Sequence, residues 1–198
     1  MSHITSIGAG LFTDLSVHMP LTPLSSAALS ALEDEDDFQA LYASPIESIG
    51  GTAATNAFVR IKNIREFPPL GTPPNVVNVP LYGSKTSQQI QGQADAPSME
   101  LTVNYVAAEW ADGTLLGDAM GDGTQYVFRV SLLNAEPDGY ESDTTGGAAG
   151  LGSVENSQYY FYGKIEALQV NPQLTDANTA TITVTMQSEF FGAFTTNA

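Results

Sequence analysis

Hydrophobic and polar residues alternate most cleanly in 179-TATITVTMQSEF-190. Ala180, Ile182, Val184, Met186 and Phe190 share one parity, with small Ser188 as the interruption; Thr179, Thr181, Thr183, Thr185, Gln187 and Glu189 share the other. Successive strand side chains point to opposite faces, so the pattern predicts one strand with a dry face and a wet face of hydroxyls, amides and one acid. The run 97-PSMELTVNYV-106 does the same, with Met99, Leu101, Val103 and Tyr105 against Ser98, Glu100, Thr102 and Asn104.

Weaker period-two runs surround these. The run 58-FVRIKNIREF-67 predicts a strand with a basic face, Val59 and Ile61 lying opposite Arg60 and Lys62. The stretches 76-VVNVPLYG-83 and 86-TSQQIQGQ-93 predict the arms of a long hairpin. Pro80 and Gly92 suit an edge or a bulge. Both arms are too polar to bury fully, so the hairpin is expected to reach out from the body. A strand over 124–134 is expected to bury Tyr126, Phe128, Val130 and Leu132. In 158-QYYFYGKIEALQVNP-172 the apolar phase shifts, which predicts a bulge near Ala167 and a hairpin with 179–190.

Other segments break the alternation. Residues 1–25 mix polar and apolar positions around Pro20 and Pro23 and read as an extended arm. In 25–44, Ser25, Ser26 and Asp34 are cap candidates, and a short helix over 34–43 would carry acids in its first turn, where the helix dipole favours them. A short imperfect helix is expected in 107–121, with Ala107, Trp110, Leu115 and Met120 inward and Gly113 and Gly117 weakening it. The glycine-rich stretch within 138–157 reads as a long loop.

The elements sum to a mainly β fold of about seven strands: an antiparallel two-sheet β-sandwich or partly open barrel, with a short flanking helix, an extended N-terminal arm and long loops. The chain divides into arm and acidic helix (1–50) and one β-sandwich domain (51–198). Among its 198 residues, six are basic and 22 acidic, a net charge of −16. Grip on nucleic acid comes from Lys and Arg neutralising phosphates, so this surface is not expected to bind it. Cysteine is absent, which excludes disulfides, thiolate nucleophiles and sulfur metal sites. No basic leader and no apolar run of about 18 residues is present, so no signal or membrane span is expected.

Candidate chemistry is thin. His3 and His18 lie in the expected arm without partners that would make a base or zinc site. The acids of 33-EDEDD-37 lack the glycine-punctuated spacing of a calcium loop. The pairs Glu109/Asp112 and Asp118/Asp122 lie at helical spacing, with nothing to suggest a sugar cleft. Tyr159, Tyr160 and Tyr162 could stack on sugars or pack in a core. No catalytic residue and no cofactor is expected. The excursions cannot bury themselves alone and imply a partner, of which a second copy is the simplest.

Two stretches, 61-IKNIREFPPLGTPPNVVNVPLYGSKTSQQIQGQADAPSMELTVNY-105 and 159-YYFYGKIEALQVNPQLTDANTATITVTMQSEFFG-192, resemble the major tail tube proteins of long-tailed bacteriophages (siphophages). The likeness covers residues 57–192. Many members carry a further C-terminal immunoglobulin-like domain, which is not expected in this chain. The resemblance implies a virion protein that assembles as hexameric rings stacked into a hollow tube. A tape-measure protein would lie inside, a tail terminator and a distal tail protein would sit at the ends, and double-stranded DNA would pass without tight binding. It makes Glu100, Thr102, Asn104, Thr181, Thr183, Thr185 and Glu189 candidates for the lumen. Candidates for contact between subunits are Arg60, Lys62, Arg65, Pro80, Tyr82, Gln89, Gln91, Leu11 and Phe12. The arm 1–23 and loop 138–157 would join rings, so a chain lacking residues 2–20 is expected to fold without polymerising. The rival readings are another ring-forming phage part, a tail terminator or capsid decoration protein, and a carbohydrate-binding β-sandwich.

Overall fold

In the computed structural model, residues 13–20, 22–41, 46–47, 53–54, 58–71, 76–83, 85–92, 98–133 and 156–194 are described. Strand β1 (Asp14–His18) is followed by helices α1 (Ser26–Ser30) and α2 (Glu35–Ala40). Then come β2 (Ile46–Glu47), β3 (Ala53–Ala54), β4 (Phe58–Arg60), β5 (Ile64–Glu66), β6 (Val76–Val79), β7 (Gln88–Gln91) and β8 (Ser98–Asn104). Helix α3 (Leu115–Asp118) precedes β9 (Tyr126–Leu133), β10 (Asn156–Asn171), β11 (Thr179–Met186) and β12 (Phe191–Phe194). The fold is mainly β, as the alternation predicts.

An antiparallel sheet in the order β4-β1-β9-β10-β11-β8-β5 carries the fold, with β12 also pairing β10. Strand β10 belongs to two halves. Its first part, from Asn156 to Gly163, pairs with β9, and its second part, from Gly163 to Asn171, pairs with β11. At the changeover Gly163 leaves no room for a side chain, since a Cβ there would lie 2.6 Å from the Thr185 carbonyl oxygen. The predicted bulge lies just beyond, as a register shift between Ile165 and Ala167.

The two outermost strands of this order, β4 and β5, are separated in sequence only by Ile61–Asn63. Ile61 N–H donates to the Leu15 carbonyl on β1, and the Asn63 carbonyl accepts from Asn104 N–H on β8. The chain therefore steps from one margin of the sheet to the other. Asn63 makes the corner in the left-handed region at φ 61°, a conformation its short polar side chain tolerates. The result is a partly open barrel bridged by the chain rather than closed by a ladder. The expected single strand over 58–67 is thus two strands and a corner.

The dry faces of both halves fill one core. It includes Leu15 and Val17 of β1, Phe128 and Val130 of β9, Phe161 and Ile165 of β10, Ile182 and Val184 of β11, and Leu101 and Val103 of β8. Burying each such side chain contributes roughly 1.5–3 kcal/mol. Trp110, Leu116 and Ala119 from the segment around α3 close this core. Leu116 takes the buried place expected of Leu115, and Ala107 is exposed. In β9, Phe128 and Val130 are buried as expected, while Tyr126 is half-buried and Leu132 is exposed at the strand's end; the opposite parity is covered as well, since Val127, Arg129 and Ser131 are buried.

That second cover forms a second core, in which Leu29 of α1 and Phe38 of α2 pack with Leu41, Phe58, Val127 and Tyr160. Phe38 stacks on Tyr160 with ring centroids 4.5 Å apart. Ser25 caps α1 by accepting from Ala28 N–H at 3.2 Å. Asp34 caps α2 by accepting from Asp37 N–H at 3.1 Å. Backbone N–H groups of Glu33 and Asp34 in turn donate to Asp37 and hold its carboxyl below the usual range.

The expected N-terminal arm is corrected over residues 14–18. These form β1, an interior strand between β4 and β9 that is buried on both faces. Its polar parity does not meet water but lies under the helices. A deletion of residues 2–20 would remove this strand from the core. The expected loop at 138–157 is corrected at its end, where Asn156 and Ser157 already belong to β10 and pair with Leu133 and Leu132 of β9; its residues 138–155 and the arm candidates Leu11 and Phe12 lie outside the described residues.

Candidate functional site

On the side of the sheet away from the main core, α1 and α2, with Phe191 and Phe194 of β12, pack on the half built on β1, β4, β9 and the first part of β10, and among the described residues no helix packs on the other half. The other half, made by β5, β8, β11 and the second part of β10, carries the wet face. Six of the seven proposed lumen residues come together there. Register places Thr181 opposite Thr102 and Thr183 opposite Glu100, while Thr185 faces Ser98 and Thr179 faces Asn104. On the β10 side, Thr185 faces Lys164, Thr181 faces Gln169 and Thr179 faces Asn171. Glu66 of β5 stands opposite Thr102.

Thr102, Asn104, Thr181, Thr183 and Thr185 are half-buried by their neighbours on the face, while Ser98, Glu100, Gln169 and Asn171 are exposed. The face is a patch of hydroxyls and amides with Glu66 and Glu100 as its acids and Lys164 as its cation. Neither β8 nor β11 contains a lysine or an arginine. Glu189, the seventh candidate, is not on it. Strand β11 ends at Met186, and Glu189 lies exposed in the turn before β12. Ser188 is where the strand stops: its hydroxyl accepts from Tyr162 N–H at 2.9 Å and donates to the Glu189 carbonyl at 2.8 Å.

This half-sheet has an open margin. The ladder with β9 ends at the pair Gly163–Tyr126, and on that side Gly121 N–H reaches the Ile165 carbonyl at 2.8 Å. Beyond it, among the described residues, no strand pairs with β10 on that side through Asn171. Leu168 is partly exposed and Val170 exposed along this margin.

The hairpin of β6 and β7 forms a separate two-stranded ladder, with Val77 opposite Ile90 and Asn78 opposite Gln89. Pro80, Tyr82 and Gln89 are exposed, as contact between subunits would require. Gln91 pairs with Val76 in the ladder. The three basic candidates of 60–65 do not act as one face. Arg65 is exposed on β5 and Lys62 is half-buried at the corner. Arg60 forms an ion pair within the chain, its guanidinium donating to the Asp14 carboxylate. That pairing gives Arg60 a partner within the chain beside its expected use across an interface.

Asp14 also accepts from the Ser16 hydroxyl at 2.6 Å, and both belong to a buried polar row that sequence reasoning missed. Ser16 is opposite Arg60 on β4 and Arg129 on β9, and Arg129 is opposite Tyr160. The Arg129 guanidinium carbon stands 4.6 Å from the centre of the Phe58 ring. His18, opposite Phe58 and Val127, is 1% exposed, and burial lowers its pKa from 6.5 to about 4. Its ring nitrogens have no hydrogen-bond partner among the described residues. This row is sealed under the helices and offers no access to a substrate.

The remaining candidates resolve into local structure. Asp118 accepts from Gly113 N–H at 2.8 Å, and Asp122 accepts from Thr124 N–H and the Tyr126 hydroxyl. Glu109 accepts from the Asn63 side chain at 3.4 Å. The three tyrosines form no platform. Tyr160 is buried, Tyr159 packs on the main core, and Tyr162 packs on the second. Among the described residues no group of three or more His, Cys, Asp or Glu could hold a metal ion, and no helix is long and apolar enough to cross a membrane. No protein-family model matches the chain, and no curated protein matches it in sequence.

Proposed function

We propose that the chain is a structural virion subunit that polymerises as stacked hexameric rings into a hollow phage tail tube, and is not an enzyme. The observation that carries this reading is the wet face of β8, β11 and the second part of β10. It is a broad strand surface of threonines, amides and acids with Lys164 as its cation, and among the described residues the margin of β10 beside it is unpaired. An open margin next to a polar face invites pairing with another chain, and closure into a ring removes the margin. Turned inward, such a face gives a bore that passes DNA without holding it tightly, because β8 and β11 present no cation to the phosphates and Lys164 of β10 stands against Glu66 and Glu100 on the same face. A tape-measure protein would occupy this bore before DNA does, and terminator and distal tail proteins would meet the ends of the stack. The exposed hairpin and Arg65 are candidates for the contacts between neighbours. Contacts from Leu11, Phe12 and the loop 138–157 between rings belong to the same proposal.

Negative-stain electron microscopy of the purified chain over a concentration series tests it. Hollow fibres of constant width are the expected result. A chain that stays monomeric at high concentration, even with preformed tail tips as seeds, overturns the reading.

A further inference from the structure

The second core is a thin cover on a polar floor. Helices α1 and α2 have five and six residues. Helices so short do not hold themselves in water and depend on what they pack against. Leu29, Phe38 and Leu41 supply that packing, together with Phe58, Val127 and Tyr160 of the sheet. Beside these sheet residues lies the polar parity of β1, Asp14, Ser16 and His18.

His18 is the last residue of β1, where the chain leaves the sheet for the helices. Register sets it between Phe58 and Val127, both members of the second core. Its ring centroid lies 5.4 Å from that of Phe58. A neutral imidazole is tolerated in so buried a place. An imidazolium there would be a buried charge with both N–H groups unsatisfied. The charged and titratable groups around it come from several elements. Strand β1 contributes Asp14, whose carboxylate already accepts from Arg60 of β4 and from the Ser16 hydroxyl. Strand β9 contributes Arg129, which lies over the same Phe58 ring. Strand β10 contributes Tyr160, whose hydroxyl donates to Gln158, and Tyr162. Helix α1 and strand β12 have no titratable side chain, and the acids of α2, Glu35, Asp36 and Asp37, are half-buried or exposed. None of these groups hydrogen-bonds to His18.

We infer that α1 and α2 form an acid-operated lid, which lifts from β1, β9 and β10 as His18 takes a proton, while the ladders of the sheet and the main core stay intact. The device needs no second copy and stands apart from the tube reading. Burial lowers the His18 pKa from 6.5 to about 4, and water restores the ordinary value once the lid is open. Linkage then sets the sign. Opening is hardest above about pH 6.5, grows easier as pH falls toward 4, by about thirtyfold at pH 5, and gains little below that. Asp37 acts outside this window. The backbone N–H groups of Glu33 and Asp34 hold its carboxyl below the usual range, so its contribution is lost only below the ordinary carboxylate value.

The test is native-state hydrogen exchange of the full chain at low urea, corrected for the intrinsic effect of pH on exchange. The amides of Leu29, Leu32 and Phe38, which donate to the Ser25, Leu29 and Asp34 carbonyls, report the lid. The amides of β8 and β11 report the body. The lid amides are expected to be less protected than the body amides and nearly insensitive to urea, because a small opening exposes little surface. Their protection is expected to fall about thirtyfold between pH 7.5 and pH 5. His18→Leu is expected to abolish that fall, and His3→Gln, which changes the chain's other imidazole, to leave it.

Lid amides that exchange with the same protection and the same urea dependence as the body amides overturn the inference, since the helices then open only when everything does. Lid amides that open separately but equally at pH 7.5 and pH 5 overturn it too, since His18 then stays covered in the opening. Both of these outcomes come from the natural chain alone and stand even if His18→Leu does not fold. A folded His18→Leu chain with the pH dependence of the natural one would move the switch to the carboxylates and overturn the role of His18.

Discussion

Glu100 of β8 stands directly opposite Thr183 of β11 on the half of the sheet away from α1 and α2, with Thr102 opposite Thr181 one step along the same face. An acid beside a hydroxyl offers a phosphate no positive charge to neutralise it, and the acid repels it. Placing lysines at Thr181 and Thr183 would change that without entering the core, at a cost to stability within about 1 kcal/mol. Assemblies of the natural chain are expected to leave double-stranded DNA in the supernatant on sedimentation. Assemblies of the Thr181→Lys/Thr183→Lys chain are expected to carry DNA down, with binding that falls steeply as salt rises. Equal DNA binding by the two would remove these residues from any bore.

The legibility of the sequence followed the number of covered faces. Strands β8 and β11 were readable because one parity is dry and the other half-wet, so the alternation of Met99–Asn104 and Ala180–Thr185 is a direct image of the fold. Strand β1 carries the same alternation, yet its polar parity, Asp14, Ser16 and His18, is buried too. Polar residues beside two prolines imitate an arm. What makes them interior is Arg60 on β4 and Arg129 on β9, partners distant in the chain that a local reading cannot supply. The corner at Ile61–Asn63 was hidden for a similar reason, since its hydrogen bonds go to Leu15 and Asn104. For the site, the polar character of the threonine face was visible along the chain. That no described helix packs on it, and no described strand pairs with the β10 margin beside it, depends on where α1 and α2 land.

The Asp14–Arg60 pair is the most exacting part of the buried row. Asp14 is 3% exposed, so its charge is tolerable only while Arg60 and Ser16 satisfy it. Asp14→Asn leaves Arg60 without its counter-charge and is expected to cost roughly 3 kcal/mol in urea unfolding. The double change Asp14→Leu/Arg60→Met removes both charges and is expected to cost less than Asp14→Asn alone. A double variant that loses as much as the sum of its two single changes would show that the pair contributes no coupling.

His18 gives the fold a pH dependence whose sign is fixed by burial. Its folded pKa of about 4 lies below the ordinary value of 6.5, so the unfolded chain binds the proton more tightly. The associated stability is fully present above about pH 6.5, declines as pH falls through the window down to about 4, and levels off below it. The gap corresponds to roughly 3 kcal/mol. The charged groups on this buried face are Arg129 on β9, whose guanidinium shares the Phe58 ring with His18, and the Asp14–Arg60 pair, while burial itself sets the sign for His18. His18→Leu is expected to flatten the stability profile between pH 6.5 and 4, whatever it does at neutral pH. Parallel profiles for the two chains would assign the slope to the carboxylates instead.

The interior place of β1 changes what truncation at the N-terminus can mean. Leu15 and Val17 are fully buried in the main core, and β1 supplies both the ladder to β9 and the ladder that holds β4. Removing residues 2–20 deletes those side chains and leaves β9 and β4 with unpaired edges in the interior, a loss that exceeds the 5–15 kcal/mol by which a domain of this kind is stable. The shortened chain is expected to lose the cooperative thermal transition of the full chain and its near-ultraviolet circular dichroism. Removing residues 2–12 spares β1 and is expected to preserve both signals. Assembly can then be compared between two folded chains, so that failure of the 2–12 deletion to form fibres would assign a contact to Leu11, Phe12 or their neighbours. If the 2–20 deletion instead melts cooperatively at the temperature of the full chain, β1 does not hold the interior position between β4 and β9, and the bridged margin built on it falls as well.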